Sequence, residues 1–95
     1  MHAVVRRWSN SSALADVMSS RCQEVETLLR GVPGFVAYYA VRDGDQVATI
    51  TVCDDQVGTQ ESTRLAGEWV KQNVSGSLPG APEITEGETF LHFTR

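Results

Sequence analysis

The chain has 95 residues, of which 41% are hydrophobic and 21% charged, with a formal net charge of −4. That is enough for one domain, 1–95, with one small core, and it excludes disorder and collagen-like repeats. No basic stripe marks a nucleic-acid binder, no apolar run approaches the ~18 residues of a membrane span, and no apolar leader follows Arg6-Arg7. Nucleic-acid and membrane partners are therefore not expected, and the cytoplasm is the expected compartment.

Met1 to Trp8 reads as a strand with Val4, Arg6 and Trp8 on one face and Ala3, Val5 and Arg7 on the other. One of the two arginines must face inward, where a guanidinium needs a carboxylate or an anionic ligand; Glu83, Glu86 and Glu88 are the expected partners. Ser9-Asn10-Ser11-Ser12 supplies capping side chains. From Ala13 the period changes to three and four, through Leu14, Val17, Met18, Cys22, Val25, Leu28 and Leu29. This predicts one helix of about five turns, closed by Gly31 in the left-handed position and by Pro33.

Gly34 to Asp55 reads as a hairpin, Phe35–Val41 and Val47–Cys53, around the turn Arg42-Asp43-Gly44-Asp45. Cys22 and Cys53 lie in no CxxC and read as free thiols. Asp54-Asp55 offers a second N-cap. Val57, Glu61, Leu65, Ala66, Trp69, Val70 and Val74 then trace a second helix, weakened by Gly58 and Gly67 at about 1 kcal/mol each. Ser75-Gly76-Ser77 ends it and Leu78 to Pro82 is a loop. The last strand is expected over Glu88–Thr94, with a start at Glu83 as the alternative.

The order βαββαβ predicts an α+β, ferredoxin-like fold. Its four-stranded antiparallel sheet carries both helices on one face, with strands 1 and 3 central. Phe35, Ala37, Tyr39 and Val41 alternate with Val36, Tyr38 and Ala40, so both faces of the second strand are apolar or aromatic. Two helices cover one face only. A second copy of the chain is expected on the other, making a homodimer.

LLRGVPGFVAYY and TVCDDQVGTQESTRLAGEWV resemble the helix-to-strand and strand-to-helix junctions of the antibiotic-biosynthesis monooxygenase-like family of dimeric α/β barrels. Members oxidise polycyclic aromatics without metal or flavin, degrade haem, or have no known activity. For the haem-degrading branch, Trp69 and Asn10 match in residue type, but the second helix carries no His. The cofactor-free branch implies an apolar, aromatic or quinone-like ligand, no cofactor and no metal, in a pocket between sheet and helices.

The residue types that suit such a pocket are Trp69, His92 and Tyr39 as catalytic groups, with Trp8, Arg6, Tyr38 and Phe90 as substrate contacts. Each has a plainer alternative. Trp69 fills the core or presents its indole to a ligand. His92 is a hydrogen-bonded structural side chain or a general base. Tyr38 and Tyr39 alternate, so one lines the pocket and the other faces the partner. Cys53, near a helix N-terminus, is opposed by Asp54 and Asp55 as a nucleophile. A non-catalytic dimeric binding or accessory module is the second reading of the whole chain.

Overall fold

The β-rich runs pair into one antiparallel sheet in the order β2-β3-β1-β4, formed by β1 (His2–Trp8), β2 (Phe35–Asp43), β3 (Gln46–Cys53) and β4 (Glu83–Glu88). The central pair is β1 and β3, as the right-handed crossovers of a ferredoxin-like chain require. In this computed structural model, which describes residues 1–74 and 80–95, the helices are α1 (Ser12–Ser20), α2 (Cys22–Arg30) and α3 (Gln56–Asn73). They pack on one face of the sheet. No described helix is long and apolar enough to cross a membrane.

Strand parity decides what the helices cover. Val4, Arg6 and Trp8 of β1 and Val47, Thr49, Thr51 and Cys53 of β3 are all buried beneath them. The main apolar cluster joins Trp8, Leu14, Ala15, Val47 and Val74. The opposite face presents Ala3, Val5, Ala48, Ile50 and Val52 half-buried, with Tyr39 58% and Val41 54% exposed on β2. A sheet face this apolar is left uncovered by the chain's own helices.

Several local expectations are corrected. The first helix is two, because Arg21 leaves helical geometry at φ −118°, ψ 34°. The preceding Ser20 hydroxyl donates to the Val17 carbonyl (3.0 Å), competing with the helical ladder. Ser11 occupies the N-cap without a side-chain cap bond; its hydroxyl donates instead to the Ser9 carbonyl at 2.9 Å. Gly31 stays right-handed at φ −81°, and the left-handed residue is Gly34 at φ +68°.

The hairpin turn lies one residue later than expected. Asp43 pairs with Gln46, and only Gly44 of the two loop residues has positive φ (+62°), the sign pattern of a type II′ turn. A bulge between Phe35 and Ala37 breaks the alternation of β2, so Phe35 pairs with the buried Cys53 while Tyr38 and Ala40 keep the helix side.

The second predicted helix begins where expected, with the Asp55 carboxylate accepting from Val57 N at 3.0 Å. The predicted stripe holds from its middle to its end, where Trp69 and Val74 are buried, but fails in the first turns: Val57 is 65% exposed, while Gly58, Thr59 and Ser62 are buried. A Cβ at Gly58 would stand 2.2 Å from the Pro33 carbonyl oxygen and 2.7 Å from Cys53 Cβ. Gly58 is a contact point of α3 with the sheet rather than a weak spot. The expected terminator Ser75–Ser77 and the loop residues Leu78 and Pro79 lie outside the described residues.

β4 takes the earlier alternative, Glu83–Glu88, and does not run to Thr94. Its Glu86 and Ile84 oppose Val4 and Arg6 of β1, and the segment after it leaves Phe90 95%, Leu91 69% and Phe93 80% exposed.

Candidate functional site

The helix break turns α1 and α2 into two walls over the β2 end of the sheet. Between these walls and the strands lies a cleft of about 420 Å³. Ala15, Met18, Val25, Leu29 and Val47 make it apolar, and Tyr38 stands in it as the aromatic wall. Charges sit at its edge and are already engaged: Glu26 accepts from Arg30 at 2.7 Å, and Arg42 donates to Asp16 at 2.9 Å. Tyr38, Met18, Val25 and Leu29 also wall an inner slot of about 30 Å³ that reaches Trp8, Thr49 and Trp69. The volume of the cleft falls within the range of small-molecule sites. The slot has room for a water or a single polar substituent.

Tyr38 is tuned by what stands behind it. It opposes Thr51 across the β2–β3 pair, which makes Thr49 its diagonal neighbour on the same face. Burial pushes the phenol above its usual range, while Arg6 and the neighbouring Thr49 pull it back in part.

Arg6 is the most unusual side chain of the interior, 1% exposed on the central strand. Its guanidinium donates to hydroxyls on all sides. Nη1 reaches Thr49 and Thr51 at 3.3 Å each, Nη2 reaches Ser62 at 2.8 Å, and Nε reaches Thr63 at 3.3 Å. The expected carboxylate partner is corrected: no ion pair to Arg6 forms among the described residues, and the Glu86 carboxylate instead accepts from Thr59 at 2.9 Å, with His2 Nδ1 at 3.6 Å. Burial lowers the Arg6 pKa, and Tyr38 and Glu86 oppose that at longer range. Sequence reasoning put one of Arg6 and Arg7 on the inward face, and the structure selects Arg6. It missed Thr49, Thr51, Ser62 and Thr63, whose signal is a run of small hydroxyl residues at inward positions of β3 and of the first half of α3.

Trp69 is buried and lines the slot, with its indole N–H donated to Glu24 on α2 at 3.0 Å. Trp8 lines the same slot. Tyr38 takes the pocket position and Tyr39 the opposite face of the sheet. Phe90 and the exposed His92 belong to the segment after β4, outside the cleft. Within one chain, Trp69, Tyr39 and His92 thus occupy three separate places. Cys53 is buried, and its thiol is pushed up by burial and then by Asp54 and Asp55, the reverse of an activated nucleophile. Among the described residues, no group of three His, Cys, Asp or Glu side chains is placed to hold a metal ion.

No protein-family model matches the sequence, and no curated protein matches it. Solved structures do. A protein of unknown function from Nitrosomonas europaea superposes with TM-score 0.68 at 19% identity, over 99% of this chain and 93% of that one. A putative antibiotic biosynthesis monooxygenase from Chloroflexus aurantiacus J-10-fl gives TM-score 0.66 at 13% identity, over 98% and 96%. A dimeric ferredoxin-like protein from an uncultured marine organism gives TM-score 0.60 at 11% identity, over 99% and 90%. The chain therefore has a ferredoxin-like fold, shared with these structures across nearly its whole length.

Proposed function

We propose that the chain is a homodimer whose cleft over Tyr38 binds an aromatic or quinone-like molecule and oxidises it by cofactor-independent monooxygenase chemistry. The observation that carries this reading is the convergence of Tyr38, Thr49 and Trp69 on a slot beside an apolar cleft of about 420 Å³. An aromatic ring fits the cleft, and an oxygen substituent fits the slot. The similarity to a putative antibiotic biosynthesis monooxygenase supports the reaction class.

The chemistry balances on the substrate alone. A hydroxyarene that loses a proton gives a resonance-stabilised carbanion, which delivers electrons to O₂. One oxygen atom bonds to the ring carbon and becomes a quinone carbonyl; the other leaves as water with the two displaced hydrogens. The protein supplies a dry cavity and a hydrogen bond to the oxyanion. The assay is oxygen uptake with a panel of hydroxynaphthalenes, wild type against Tyr38→Phe. Uptake that Tyr38→Phe lowers by about tenfold or more supports the reading, and no turnover by the wild type refutes catalysis.

A non-catalytic binding module is the second reading. It is favoured by one observation: the Trp69 N–H is already given to Glu24. Ring-current shifts of bound naphthol without oxygen uptake would select it.

The homodimer rests on the uncovered face of the sheet. Burying Val5, Ile50, Val52, Tyr39 and Val41 against a second copy removes apolar surface from water at roughly 25 cal/mol per Å². The exposed Phe90, Leu91 and Phe93 are assigned to the same contact, with His92 beside them. The similarity to a protein described as dimeric supports it.

A further inference from the structure

Of the nine residues of α2 only Leu29 is buried, so the helix is held mainly at its ends. The Leu29 end runs on into the buried Val32, whose N–H donates to the Leu29 carbonyl at 3.2 Å. The other end starts at Arg21, the non-helical residue where α1 stops. There a ring of polar contacts ties α2 to α3. Trp69 donates its indole N–H to Glu24 at 3.0 Å, and the Glu24 carboxylate lies 3.8 Å from Arg21. Arg21 donates to the Asn73 amide oxygen, and Asn73 donates back to the Trp69 carbonyl at 2.9 Å. Beneath this ring lies the slot, lined by Val25 and Leu28 of α2 and by Ala66 and Trp69 of α3. Val25 and Leu29 also line the cleft, so the same helix walls both spaces. At about 30 Å³ the slot is too small for an aromatic ring while the helices stay together.

We propose that α2 is a lid that pivots on its Leu29 end, flexes at Arg21 and is latched to α3 by Glu24 and Arg21. Opening merges slot and cleft around a ligand of two linked aromatic rings. The inference rests on the cleft reading above and adds the size of ligand that the site takes and the way it enters. Hinges of such lids are commonly single residues at the ends of elements, which absorb the change in φ and ψ. Arg21 has that position.

The latch is weak enough to open. The Arg21 and Glu24 side chains are 50% and 51% exposed, so water replaces their contacts at small cost. What closes the empty lid is the apolar surface under it, since lifting α2 exposes Val25 and Leu28 to water. An aromatic ring in the enlarged slot restores that contact and holds the lid open. The ligand then shifts a balance that the latch sets, and every loss of latch strength returns as ligand affinity.

The probes are 4-phenylphenol, long enough to occupy cleft and slot together, and phenol, which needs the cleft alone. Both are titrated by NMR near neutral pH, where both are uncharged. Glu24→Ala removes the carboxylate of the latch and should tighten binding of 4-phenylphenol about fivefold, the worth of one such hydrogen bond, while moving phenol by less than about twofold. Arg21→Ala breaks the ring from its other side and should act in the same direction. The two variants change the net charge in opposite senses, so a shared gain is not electrostatic. A merely structural role for these side chains would weaken binding or leave it unmoved. No gain for 4-phenylphenol, a gain in only one variant, or an equal gain for phenol overturns the lid and leaves the cleft standing. So does binding of phenol with no binding of 4-phenylphenol by any of the three proteins. Failure of both probes to bind any of them overturns the lid together with the cleft reading.

Discussion

Replacing Gly58 by alanine tests how closely α3 is pressed onto the rest of the molecule. By helix propensity alone the change should stabilise the protein by up to about 1 kcal/mol, since Gly58 lies within an 18-residue helix. The packing says the opposite. The added methyl would meet the Pro33 carbonyl oxygen at 2.2 Å, Cys53 Cβ at 2.7 Å and Cys53 Sγ at 2.9 Å. Ordinary carbon–oxygen contact needs roughly 1 Å more than the first of these distances, and the obstacle is backbone, which cannot swing aside. The first turn of α3 has to lift away, loosening Thr59 and Ser62 and with them the support of Arg6. Overpacking of this kind costs about 1–3 kcal/mol or more, so we expect a net loss of about 2 kcal/mol after the propensity gain. For a domain of this size that is a fall in Tm of about 8–16 °C. Gly67→Ala on the same helix is the control, because nothing lies within 4 Å of its added Cβ; it should gain about 0.5–1 kcal/mol. Urea and thermal unfolding of both variants at one fixed protein concentration separate the two effects. A Gly58→Ala protein as stable as Gly67→Ala would refute the close approach of α3.

Light scattering after size exclusion should give about 20 kDa, twice the chain mass of 10.4 kDa. Ile50→Glu should shift the mass to that of one chain by placing a charge on the apolar face. A wild-type mass near 10 kDa at micromolar concentration would sink the dimer. Trp69→Phe removes the 3.0 Å bond to Glu24, a carboxylate half open to water, and should cost about 1 kcal/mol in urea unfolding. A loss above 3 kcal/mol would mean that the indole carries packing beyond that bond. Cys53 and Tyr38 both have their pKa raised by burial. Groups raised in the folded state contribute stability that is whole below their unfolded values, about 8.5 and 10, and is lost as pH rises through the folded ones. Stability should therefore decline above about pH 8.5, and less steeply in Cys53→Ala; an identical slope in that variant would rule out the thiol as a cause.

Local chemistry wrote much of this fold into the chain. Alternation and period identify the element types, Asp55 and Gly44 mark a helix start and a turn, and the order βαββαβ leaves few sheet topologies open. The two-sided apolarity of the second strand is likewise a property of the sequence, and it still carries the expectation of a second copy. The tertiary structure decided what depends on approach across long separations. The hairpin register, with Asp43 opposite Gln46, settled which tyrosine meets the cleft by setting Tyr38 opposite the buried Thr51, and the bulge changes the parity only of the residues before Ala37. The break at Arg21 opened the cleft, although the apolar stripe runs through it without interruption. The surroundings of Arg6 come from β3 and α3, 43 to 57 residues away in the chain, and the hydroxyls at their inward positions do not say which side chain they meet. Spacing along a chain reports which face a residue takes. Only packing reports what waits on that face, and at Arg6 it is a ring of hydroxyls where a carboxylate was expected.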